Sequence, residues 1–464
     1  MKLNQYTHIY LIGVGGIGMS ALARFFLNKK YKVYGYDAVK SALCQELKEE
    51  GVNIHYDDNI SVIPNELKQL KENKLLVIYT PAISLHHNII KYFIDKDFTV
   101  YKRSKILGLI SDKYFTIAVA GTHGKTTTTS ILTFLLKNSG IKVISFIGGI
   151  SNNYNSNLVM DEKANIFIVE ADEYDKSFLE LSPDIAIITS IDSDHLDIFK
   201  NKNNLYKSYL DFAKRVKDEG IILIESSINL NFSKPKKGYI KKYSANEISD
   251  YYANNINVCS GKVFANMFVK SSEENYKCVA KRAEFTLPGK HNVSNMIAAV
   301  AVALILKINI NKVLKSLKTF KGVRRRFEFL VNKKNLVFID DYAHHPSEIS
   351  STIKTVRLLF PDRNLTVIFQ PHLYSRTKDF ANDFAKSLSV ADRLILLDIY
   401  PAREKPISGV SSQMMLGLCT NINKQVCEKE NLLSLINKID IDILLTMGAG
   451  DISELTEPIK HILN

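Results

Sequence analysis

Short apolar runs alternate with polar, glycine-containing loops and with longer apolar segments along most of the chain. Runs such as 8–12, 75–79 and 115–120 are bounded by turn residues and are rich in β-branched or aromatic side chains. This is the pattern of buried parallel strands. Segments such as 19–27 and 296–308 have the length and composition of buried helices. Because strands and helices alternate, the sequence predicts a doubly wound α/β fold.

New strand-led units begin near Ser111 and near Gly322. We therefore expect three consecutive α/β domains: a Rossmann-like domain over residues 1–110, a central domain with a P-loop ATPase-like parallel sheet over 111–321, and a second Rossmann-like domain over 322–464. The length of 464 residues agrees with this number of domains. The polar, Asn-rich segment 226–280 has β-like patches and predicts little more.

The most informative stretch is Gly121-Thr122-His123-Gly124-Lys125-Thr126, which follows the strand 115–120 and precedes a helix-compatible run over 129–137. Backbone N–H groups and the start of a helix form a cradle for phosphate in such a turn, and a lysine adds a point charge. Val119 stands where the standard phosphate loop has its first glycine, so a chance turn is the alternative. The residues predicted to contact a nucleotide triphosphate here are Gly121, Thr122, His123, Gly124, Lys125, Thr126 and Thr127.

Acidic side chains and a histidine follow two strands of the same unit. Glu170 ends the run 164–169, and Asp192-Ser193-Asp194-His195 follows the run 185–189. Mg²⁺ commonly takes a few protein ligands together with phosphate oxygens. The sequence therefore predicts a magnesium site near the phosphate loop. The alternative is that Glu170 and His195 are structural polar residues.

A second glycine-rich turn, Gly13-Val14-Gly15-Gly16-Ile17-Gly18, lies between the strand 8–12 and the helix that contains Met19, and Asp37 ends the next strand. This is the dinucleotide-binding fingerprint, which on its own would suggest a nicotinamide enzyme. The glycines of this fingerprint indicate only that the backbone approaches a diphosphate closely, and they do not identify the nucleotide. The end of strand 75–79 carries Ala82 and Ile83, which would border the same ligand crevice.

Polar residues also follow the predicted strands of the third unit. Arg324-Arg325-Arg326 precedes Phe327, and a triple arginine is either a phosphate clamp or a solvated charge run. Asp341, Tyr342 and His344 follow the strand 336–339, and His372 and Arg376 follow the strand 365–369. In a doubly wound sheet these positions gather at one edge.

The net charge of +13 does not by itself indicate nucleic-acid binding. The lysines are spread along the chain, and no RNA-binding, helix-turn-helix or zinc-finger pattern is present, so we predict no nucleic-acid partner. The longest uncharged apolar run, 296–306, is too short to span a bilayer, and we predict no membrane insertion. Five scattered cysteines without a CxxC pair favour a reduced, cytoplasmic location.

The combination GTHGKT, EADEYDKSF, SDHLD, GKHNVSN, GVRRRFEF, DDYAHHP, FQPHLYSR and GAGD resembles the Mur ligase family, in the right order over nearly the whole chain. The resemblance implies an ATP-dependent amide ligase that joins L-alanine to the lactoyl carboxylate of UDP-N-acetylmuramate through an acyl phosphate, in peptidoglycan precursor synthesis. It implies ATP and Mg²⁺ as cofactors. It also implies UDP, and not NAD, at the first glycine-rich turn.

The resemblance also implies roles for single residues. Catalytic roles fall to Lys125, His195, Arg326, His344 and Arg376, with Thr126, Glu170 and His195 as Mg²⁺ ligands. Asn292 and Asn295 would lie near the adenine, Asp341 near the ribose, and Arg326 near the γ-phosphate. The substrate side would be formed by Gly15, Gly16, Ile17, Gly18, Met19, Ala82, Ile83, Tyr342, His372 and Arg376.

Within the family, the alternative is a related ligase that attaches a recycled murein tripeptide to UDP-N-acetylmuramate. Later ligases of the pathway carry a carbamylated lysine where this chain has Tyr209 and Leu210, which favours the alanine-adding member. A nicotinamide dehydrogenase would have no use for the second phosphate loop, and a nucleic-acid ATPase or non-catalytic nucleotide switch is a further alternative. We expect a monomer or a weak homodimer.

Overall fold

The computed structural model describes residues 3–192, 199, 201–259, 261–272, 275–402 and 404–464. These residues form two compact units. The first comprises Met1–Asn255, Ala265–Glu284 and Ser294–Lys321, and the second comprises Ile256–Phe264, Phe285–Val293 and Gly322–Asn464. Each unit is described by itself.

The first unit begins with a five-stranded sheet in the order β3-β2-β1-β4-β5. Its pairings are parallel, and β1 and β4 are almost completely buried, as strands covered by helices on both faces must be. The chain leaves β1 toward β2 on one side and returns to β4 on the other, which opens a crevice at their carboxyl ends. The elements are β1 (His8–Ile12), α1 (Ile17–Asn28), β2 (Lys32–Tyr36), α2 (Ala42–Glu49), β3 (Asn53–His55), α3 (Asn65–Lys68), β4 (Leu75–Tyr79), α4 (Asn88–Asp95), β5 (Val100–Lys102) and α5 (Arg103–Ser111).

A ten-stranded sheet follows, in the order β15-β14-β13-β12-β11-β10-β6-β9-β7-β8. The strand β6 lies between β9 and β10, so the loops after these three strands converge. The outer strand β8 is antiparallel to β7. The elements are β6 (Phe115–Ala120), α6 (Lys125–Asn138), β7 (Val143–Ser151), β8 (Ser156–Met160), β9 (Ile166–Glu170), β10 (Ile185–Ile188), α7 (Lys202–Ala213), β11 (Ile221–Glu225), β12 (Tyr239–Ser244), β13 (Tyr251–Cys259), β14 (Lys262–Lys270), β15 (Tyr276–Phe285), α8 (Lys290–Ile305) and α9 (Ile310–Leu317).

The second unit contains a six-stranded sheet in the order β16-β17-β21-β18-β19-β20. The strand β16 is antiparallel to β17, and the other pairings are parallel. Apolar side chains cover both faces of the sheet. The elements are β16 (Glu328–Lys333), β17 (Leu336–Asp341), α10 (Pro346–Leu359), β18 (Leu365–Phe369), α11 (Tyr374–Asp379), α12 (Ala381–Leu388), β19 (Arg393–Leu396), α13 (Ser412–Leu418), β20 (Asn423–Val426), α14 (Leu432–Ile436), β21 (Ile443–Met447) and α15 (Thr456–Leu463).

The α/β class and the parallel-sheet cores are confirmed, with local differences. The helix α6 begins at Lys125, four residues before the predicted run, because the left-handed Gly124 (φ 82°) turns the chain directly into the helix. The polar segment 226–280 contributes the strands β12 to β14 and the start of β15 to the central sheet. The domain boundaries at residues 110 and 321 stay predictions.

Two further findings concern the surface and the cysteines. All five cysteines lie within the described ranges and carry free thiols. Among the described residues, none of the helices combines the length and the apolar character that crossing a membrane requires.

Candidate functional site

The loop between β6 and α6 is shaped by hydroxyl groups from the neighbouring strand. The Thr189 hydroxyl donates to Ala120 O at 3.1 Å, and Ser190 Oγ accepts from His123 N at 2.8 Å. Gly121 has φ 140°, and a Cβ atom there would overlap Thr189 Oγ1. Only glycine fits this position, so the loop after β6 is held in one shape by the residues that follow β10.

Lys125 is the first residue of α6, and its ammonium group is surrounded by acceptors. It donates to Gly121 O at 2.5 Å, to Thr122 O at 3.3 Å and to the Glu173 carboxylate at 2.9 and 3.0 Å. Burial opposes the charge on Lys125, but the carboxylates of Glu173, Asp172 and Glu170 outweigh it, and its pKa is raised. The lysine is therefore positively charged and held against its own loop.

The Thr126 hydroxyl donates to Glu170 Oε2 at 2.8 Å, and the same oxygen accepts from Gly148 N at 3.0 Å. A hydroxyl and a carboxylate oxygen at this separation fit two neighbouring positions of an octahedral Mg²⁺ shell, whose metal–oxygen distances are about 2.1 Å. These two predicted ligands therefore fit a magnesium ion. The third, His195, lies outside the described residues.

The two asparagines predicted near adenine have different surroundings. Asn295, in the first unit, lies against the phosphate loop, since a Cβ atom at Gly124 would overlap its side-chain oxygen. Asn292, in the second unit, is buried and donates to Pro288 O at 2.7 Å. The contact with the loop supports the interpretation of Asn295. Asn292 bonds to the segment before its own helix, and its nucleotide role stays a prediction.

The remaining predicted residues of the phosphate loop complete the cradle. The His123 ring lies 3.4 Å from the Asp192 carboxylate, measured from Nε2 to Oδ2. Thr122 Oγ1 contacts Ser190 Oγ at 2.9 Å and accepts from Asp192 N at 3.0 Å. Thr127 is buried in the first turn of α6. The loop is thus fixed by side chains of its own and of the segment that follows β10.

The first glycine-rich turn follows β1 and is closed by the acidic residue that ends β2. Asp37 Oδ2 accepts from Gly15 N at 2.8 Å, and Oδ1 accepts from Val39 N at 3.0 Å. In a nicotinamide enzyme the corresponding carboxylate binds a ribose hydroxyl. Here both of its oxygens bond to backbone. This arrangement favours a ligand other than a dinucleotide at the turn.

The turn after β4 lies beside this first glycine-rich turn. Ile83 N bonds to Thr80 O at 3.0 Å, and Ala82 lies between them in the chain. A Cβ atom at Gly13 would lie 3.1 Å from Ile83 Cδ1. The structure therefore brings the two predicted segments together.

The other predicted substrate residues lie at the start of α1 and differ in how far they are exposed to solvent. Gly16 is the N-cap of the helix, and the Ile17 side chain is exposed. Met19, by contrast, is buried in the core, so only its backbone can face a ligand.

In the second unit, Arg326 lies between two residues with left-handed backbone, Arg325 (φ 60°) and Phe327 (φ 49°). Its guanidinium group lies 4.8 Å from the centre of the Tyr342 ring, a cation–π distance. Arg325 is held by the buried Asp340 at 3.0 Å and by Gly448 O at 2.6 Å. The Arg325 side chain is therefore bound within the unit, and the Arg326 guanidinium group stacks on the Tyr342 ring.

Asp341 ends β17 and is buried. Its oxygens accept from Phe327 N at 2.6 Å and from Ala343 N at 2.8 Å. Burial raises its pKa to about 6, against the lowering effect of Arg326 and of these two N–H groups. The carboxylate thus fixes the turns on both sides of Arg326 and Tyr342.

Four predicted site residues come together at the carboxyl edge of this sheet. Together with Tyr400 we call them the C-terminal cluster: Tyr342, His344, His372, Arg376 and Tyr400. The Tyr342 and His344 rings lie 5.3 Å apart, and those of His344 and His372 lie 6.4 Å apart. The His372 ring stacks on Tyr400 at 5.6 Å.

Burial and two neighbouring basic side chains favour the neutral form of the central histidine of the C-terminal cluster. Arg376 Nη1 donates to His372 Nδ1 at 3.4 Å. Burial, together with the nearby Arg376 and His344, lowers the pKa of His372 to about 4. A neutral imidazole can accept this hydrogen bond, so His372 helps to hold the Arg376 side chain in place.

Comparisons with known proteins decide the family. Models of three Mur ligase domains match this chain: the Mur ligase family catalytic domain at residues 8–115, the Mur ligase middle domain at 119–303, and the Mur ligase glutamate ligase domain at 325–450. A protein of Flavobacterium psychrophilum named UDP-N-acetylmuramate–L-alanine ligase is 46% identical and covers 100% of both chains. The chain belongs to the Mur ligase family.

Other relatives agree with this assignment. A protein of Christiangramia forsetii with the same name is 44% identical over 99% of this chain and 98% of its own. The crystal structure of the UDP-N-acetylmuramate–alanine ligase of Thermotoga maritima has a TM-score of 0.79 at 25% identity, covering 98% of both chains. The murein peptide ligase of Psychrobacter arcticus shares the fold, with a TM-score of 0.70 at 21% identity and 98% coverage of both chains.

The sequence interpretation missed several residues of this Mur ligase site. Thr189 and Ser190 shape the phosphate loop, and a signal was available, since two hydroxyl residues end a buried strand. Glu173 was quoted within a motif but given no role. Tyr400 stacks on His372 from a loop that follows a different strand, and no sequence spacing could have indicated this contact.

Arg103, the first residue of α5, was also missed. A Cβ atom at Gly18 would lie 2.7 Å from Arg103 Nη1, and Arg103 Nη2 lies 3.9 Å from Asp172 Oδ2. Asp172 belongs to the loop that holds Lys125, because it precedes Glu173. Arg103 therefore reaches both the first glycine-rich turn and the acidic loop beside the phosphate loop of this Mur ligase.

Proposed function

We propose that this protein joins L-alanine to the lactoyl carboxylate of UDP-N-acetylmuramate and hydrolyses ATP to ADP and phosphate in doing so. The observation that carries the proposal is that two phosphate-type loops lie in one compact unit and that Arg103 reaches from one toward the other. The relatives named UDP-N-acetylmuramate–L-alanine ligase match the whole chain at 44–46% identity, which supports the substrate assignment.

The chemistry explains why two phosphate sites are needed. A carboxylate is a poor electrophile, so its oxygen first attacks the γ-phosphorus of ATP, and ADP leaves. The amine of L-alanine then attacks the acyl phosphate, and a tetrahedral intermediate expels inorganic phosphate to form the amide. Most of the catalysis in such a sequence comes from positioning and from neutralisation of phosphate charge.

The first unit supplies the groups for the phosphoryl transfer. The backbone N–H groups after Gly121 and the start of α6 would bind the phosphates, with Lys125 as the positive charge on the β- and γ-phosphates. Thr126 and Glu170, with His195, would hold Mg²⁺, which neutralises charge on the same phosphates when bound. Arg103 and the turn 15–18 would seat the UDP diphosphate.

The second unit supplies the groups for the amine. In this proposal Arg376 binds the carboxylate of L-alanine, since a guanidinium group matches a carboxylate with two parallel hydrogen bonds. The neutral His372 orients Arg376, and Tyr342 and His344 border the acyl phosphate. Arg326 serves the γ-phosphate. Asn292 and Asp341 serve the nucleoside, as does Asn295 of the first unit.

Other parts of the proposal rest on less direct support. We infer three domains with boundaries near residues 110 and 321, because the Mur ligase models end and begin close to them. A cytoplasmic location agrees with the free thiols and with the pools of ATP and UDP-sugar. A monomer or weak homodimer stays a prediction.

The test is phosphate release from ATP and Mg²⁺ in the presence of UDP-N-acetylmuramate. Three reactions are compared: no amine, L-alanine, and the tripeptide L-Ala-γ-D-Glu-meso-diaminopimelate. Release that depends on free L-alanine is the expected result. Release with the tripeptide alone would instead assign the protein to the murein-recycling ligases, and no release with either would contradict the substrate assignment.

A further inference from the structure

The ammonium group of Lys125 has no N–H donor left for a phosphate. An ammonium carries three donors, and those of Lys125 point at two loop carbonyls and at both oxygens of Glu173. A triphosphate can bond to this lysine only by displacing an acceptor. The carbonyls of Gly121 and Thr122 belong to the backbone of the hydrogen-bonded loop, whereas Glu173 contributes only a side chain, so Glu173 is the acceptor that a phosphate can displace.

The segment that follows Glu173 in the chain is anchored in the core. Its side chain is fully buried, and it precedes a short 3₁₀ helix, Tyr174–Glu180, in which Asp175 and Lys176 have left-handed backbone (φ 51° and 55°). The helix is fixed by the buried Phe178, which stacks on Phe212 with ring centres 4.9 Å apart. Glu173 is thus built into a constrained loop, and its carboxylate faces the phosphate loop.

Glu170 and Glu173 bond to different side chains of the phosphate loop and of the start of α6. Glu170 bonds to Thr126 and to Gly148 N, the position that suits a metal ligand. Glu173 bonds to Lys125 at 2.9 and 3.0 Å. The two carboxylates lie three residues apart in the chain, but the first faces the hydroxyl of the loop and the second faces its cation.

We propose that Glu173 is a positioning residue that competes with bound nucleotide for Lys125. In the nucleotide-free protein it holds the lysine against the loop, and the phosphates of ATP displace it. After phosphoryl transfer ADP offers fewer oxygens, and Glu173 takes Lys125 back and promotes release of ADP. This role deepens the proposed function, since it rests on an ATP site at the loop.

The competition predicts that removing the charge of Glu173 strengthens nucleotide binding. In Glu173→Gln, ADP no longer has to displace a carboxylate, and we expect its affinity to rise about tenfold, the value of one charged hydrogen bond. The KM for ATP should fall, and kcat should fall with it because ADP leaves more slowly. A merely structural role predicts the opposite, a higher KM and weaker ADP binding.

The experiment is calorimetric titration of MgADP into the full-length protein without UDP-sugar. Asp175→Asn is the matched control: it removes a negative charge from the same loop, asparagine tolerates the left-handed backbone, and Asp175 pairs with Lys102 and not with Lys125. Its affinity should equal that of the wild type. Glu173→Asp keeps the charge on a shorter side chain and should lie between the wild type and Glu173→Gln.

The outcomes separate the two proposals. Wild-type binding of ADP with equal or weaker binding by Glu173→Gln overturns the role of Glu173 and leaves the ATP site intact. Failure of the wild type to bind ADP overturns both proposals. If Glu173→Gln does not fold, Glu173→Asp decides the matter, and ADP binding no tighter than that of the wild type rejects the competition.

Discussion

The phosphate loop of the first unit and the segment around Arg326 in the second unit fix their cations by different physical means. Lys125 is held by ion pairing and by loop carbonyls, in a helix start whose unusual backbone is carried by glycine. Arg326 is held on an aromatic ring, between non-glycine residues with left-handed backbone. A ligand must therefore displace an acceptor of Lys125 in the first region, whereas Arg326 in the second region is placed by left-handed backbone on both sides and by stacking on Tyr342.

The largest expected effect comes from removing the ammonium group of Lys125. Lys125→Ala should reduce alanine-dependent phosphate release by about three orders of magnitude or more, because charge neutralisation carries most of phosphoryl transfer. Binding of UDP-N-acetylmuramate, measured by calorimetry, should change little, since its proposed diphosphate site is the turn 15–18. Lys113→Ala, at an exposed lysine of the same unit, is the control.

Loss of both properties together would show that the first glycine-rich turn and the phosphate loop do not work separately. In that case the assignment of UDP to the turn at the β1–β4 crevice would have to be given up.

The second prediction compares two glycines of the first unit. Gly124 and Gly140 both have left-handed backbone (φ 82° and 91°), but a Cβ atom at Gly140 meets open space and one at Gly124 overlaps Asn295. Gly140→Ala should lower the free energy of unfolding by about 1 to 2 kcal/mol, the cost of the backbone alone. Gly124→Ala should cost clearly more and should also weaken ADP binding.

Chemical denaturation of the two variants measures this difference directly. Equal losses of stability would mean that Asn295 moves aside easily, and the contact could then no longer support its proposed position beside the nucleotide.

The same two regions show how far the sequence could predict the site. In the first unit, the strand, the glycines and the start of α6 are contiguous, so local spacing predicted the loop, and the structure brings Thr126 and Glu170 together at 2.8 Å. In the second unit, each strand end carried visible polar residues, and the order of a parallel sheet predicted that they meet. His344, His372 and Arg376 do meet there.

Sequence could not supply the contacts that depend on packing between distant elements. Arg103 looked like an ordinary basic residue at a helix start, and only the fold brings it to Gly18 and Asp172. The segment 226–280 lacked strong apolar alternation because its strands are partly exposed at one end of the central sheet. Glu173 and Lys125 lie 48 positions apart in the chain, and only the fold brings the carboxylate to the ammonium group.

The third prediction concerns the neutral histidine of the C-terminal cluster. NMR titration of the imidazole should give His372 a pKa of about 4, and Arg376→Gln should raise this pKa, because burial and the nearby guanidinium group lower it. His372→Gln assigns the signal. A pKa at or above the ordinary value of about 6.5 would contradict the buried, stacked position of the ring.

This lowered pKa has a consequence for stability. The unfolded chain binds a proton at this histidine below about pH 6.5, whereas the folded chain resists it down to about pH 4. The contribution of His372 to stability is therefore complete above pH 6.5 and is lost as the pH falls toward 4, by at most about 1.4 kcal/mol per pH unit. His372→Gln should show a shallower loss over this range.

The smallest expected effect tests whether backbone strain in the second region serves binding. Leu373 has φ 73° at the start of α11, which carries Arg376, and Lys307 has φ 59° after the end of α8. Glycine relieves such strain, so Lys307→Gly should raise the free energy of unfolding by about 0.5 kcal/mol and leave the KM for L-alanine unchanged. Leu373→Gly gains the same relief but frees the backbone that aims Arg376, and the KM for L-alanine should rise several-fold. If both variants keep the wild-type KM, the left-handed Leu373 is a feature of the turn alone, and stacking and hydrogen bonding from His372 suffice to hold Arg376 in place.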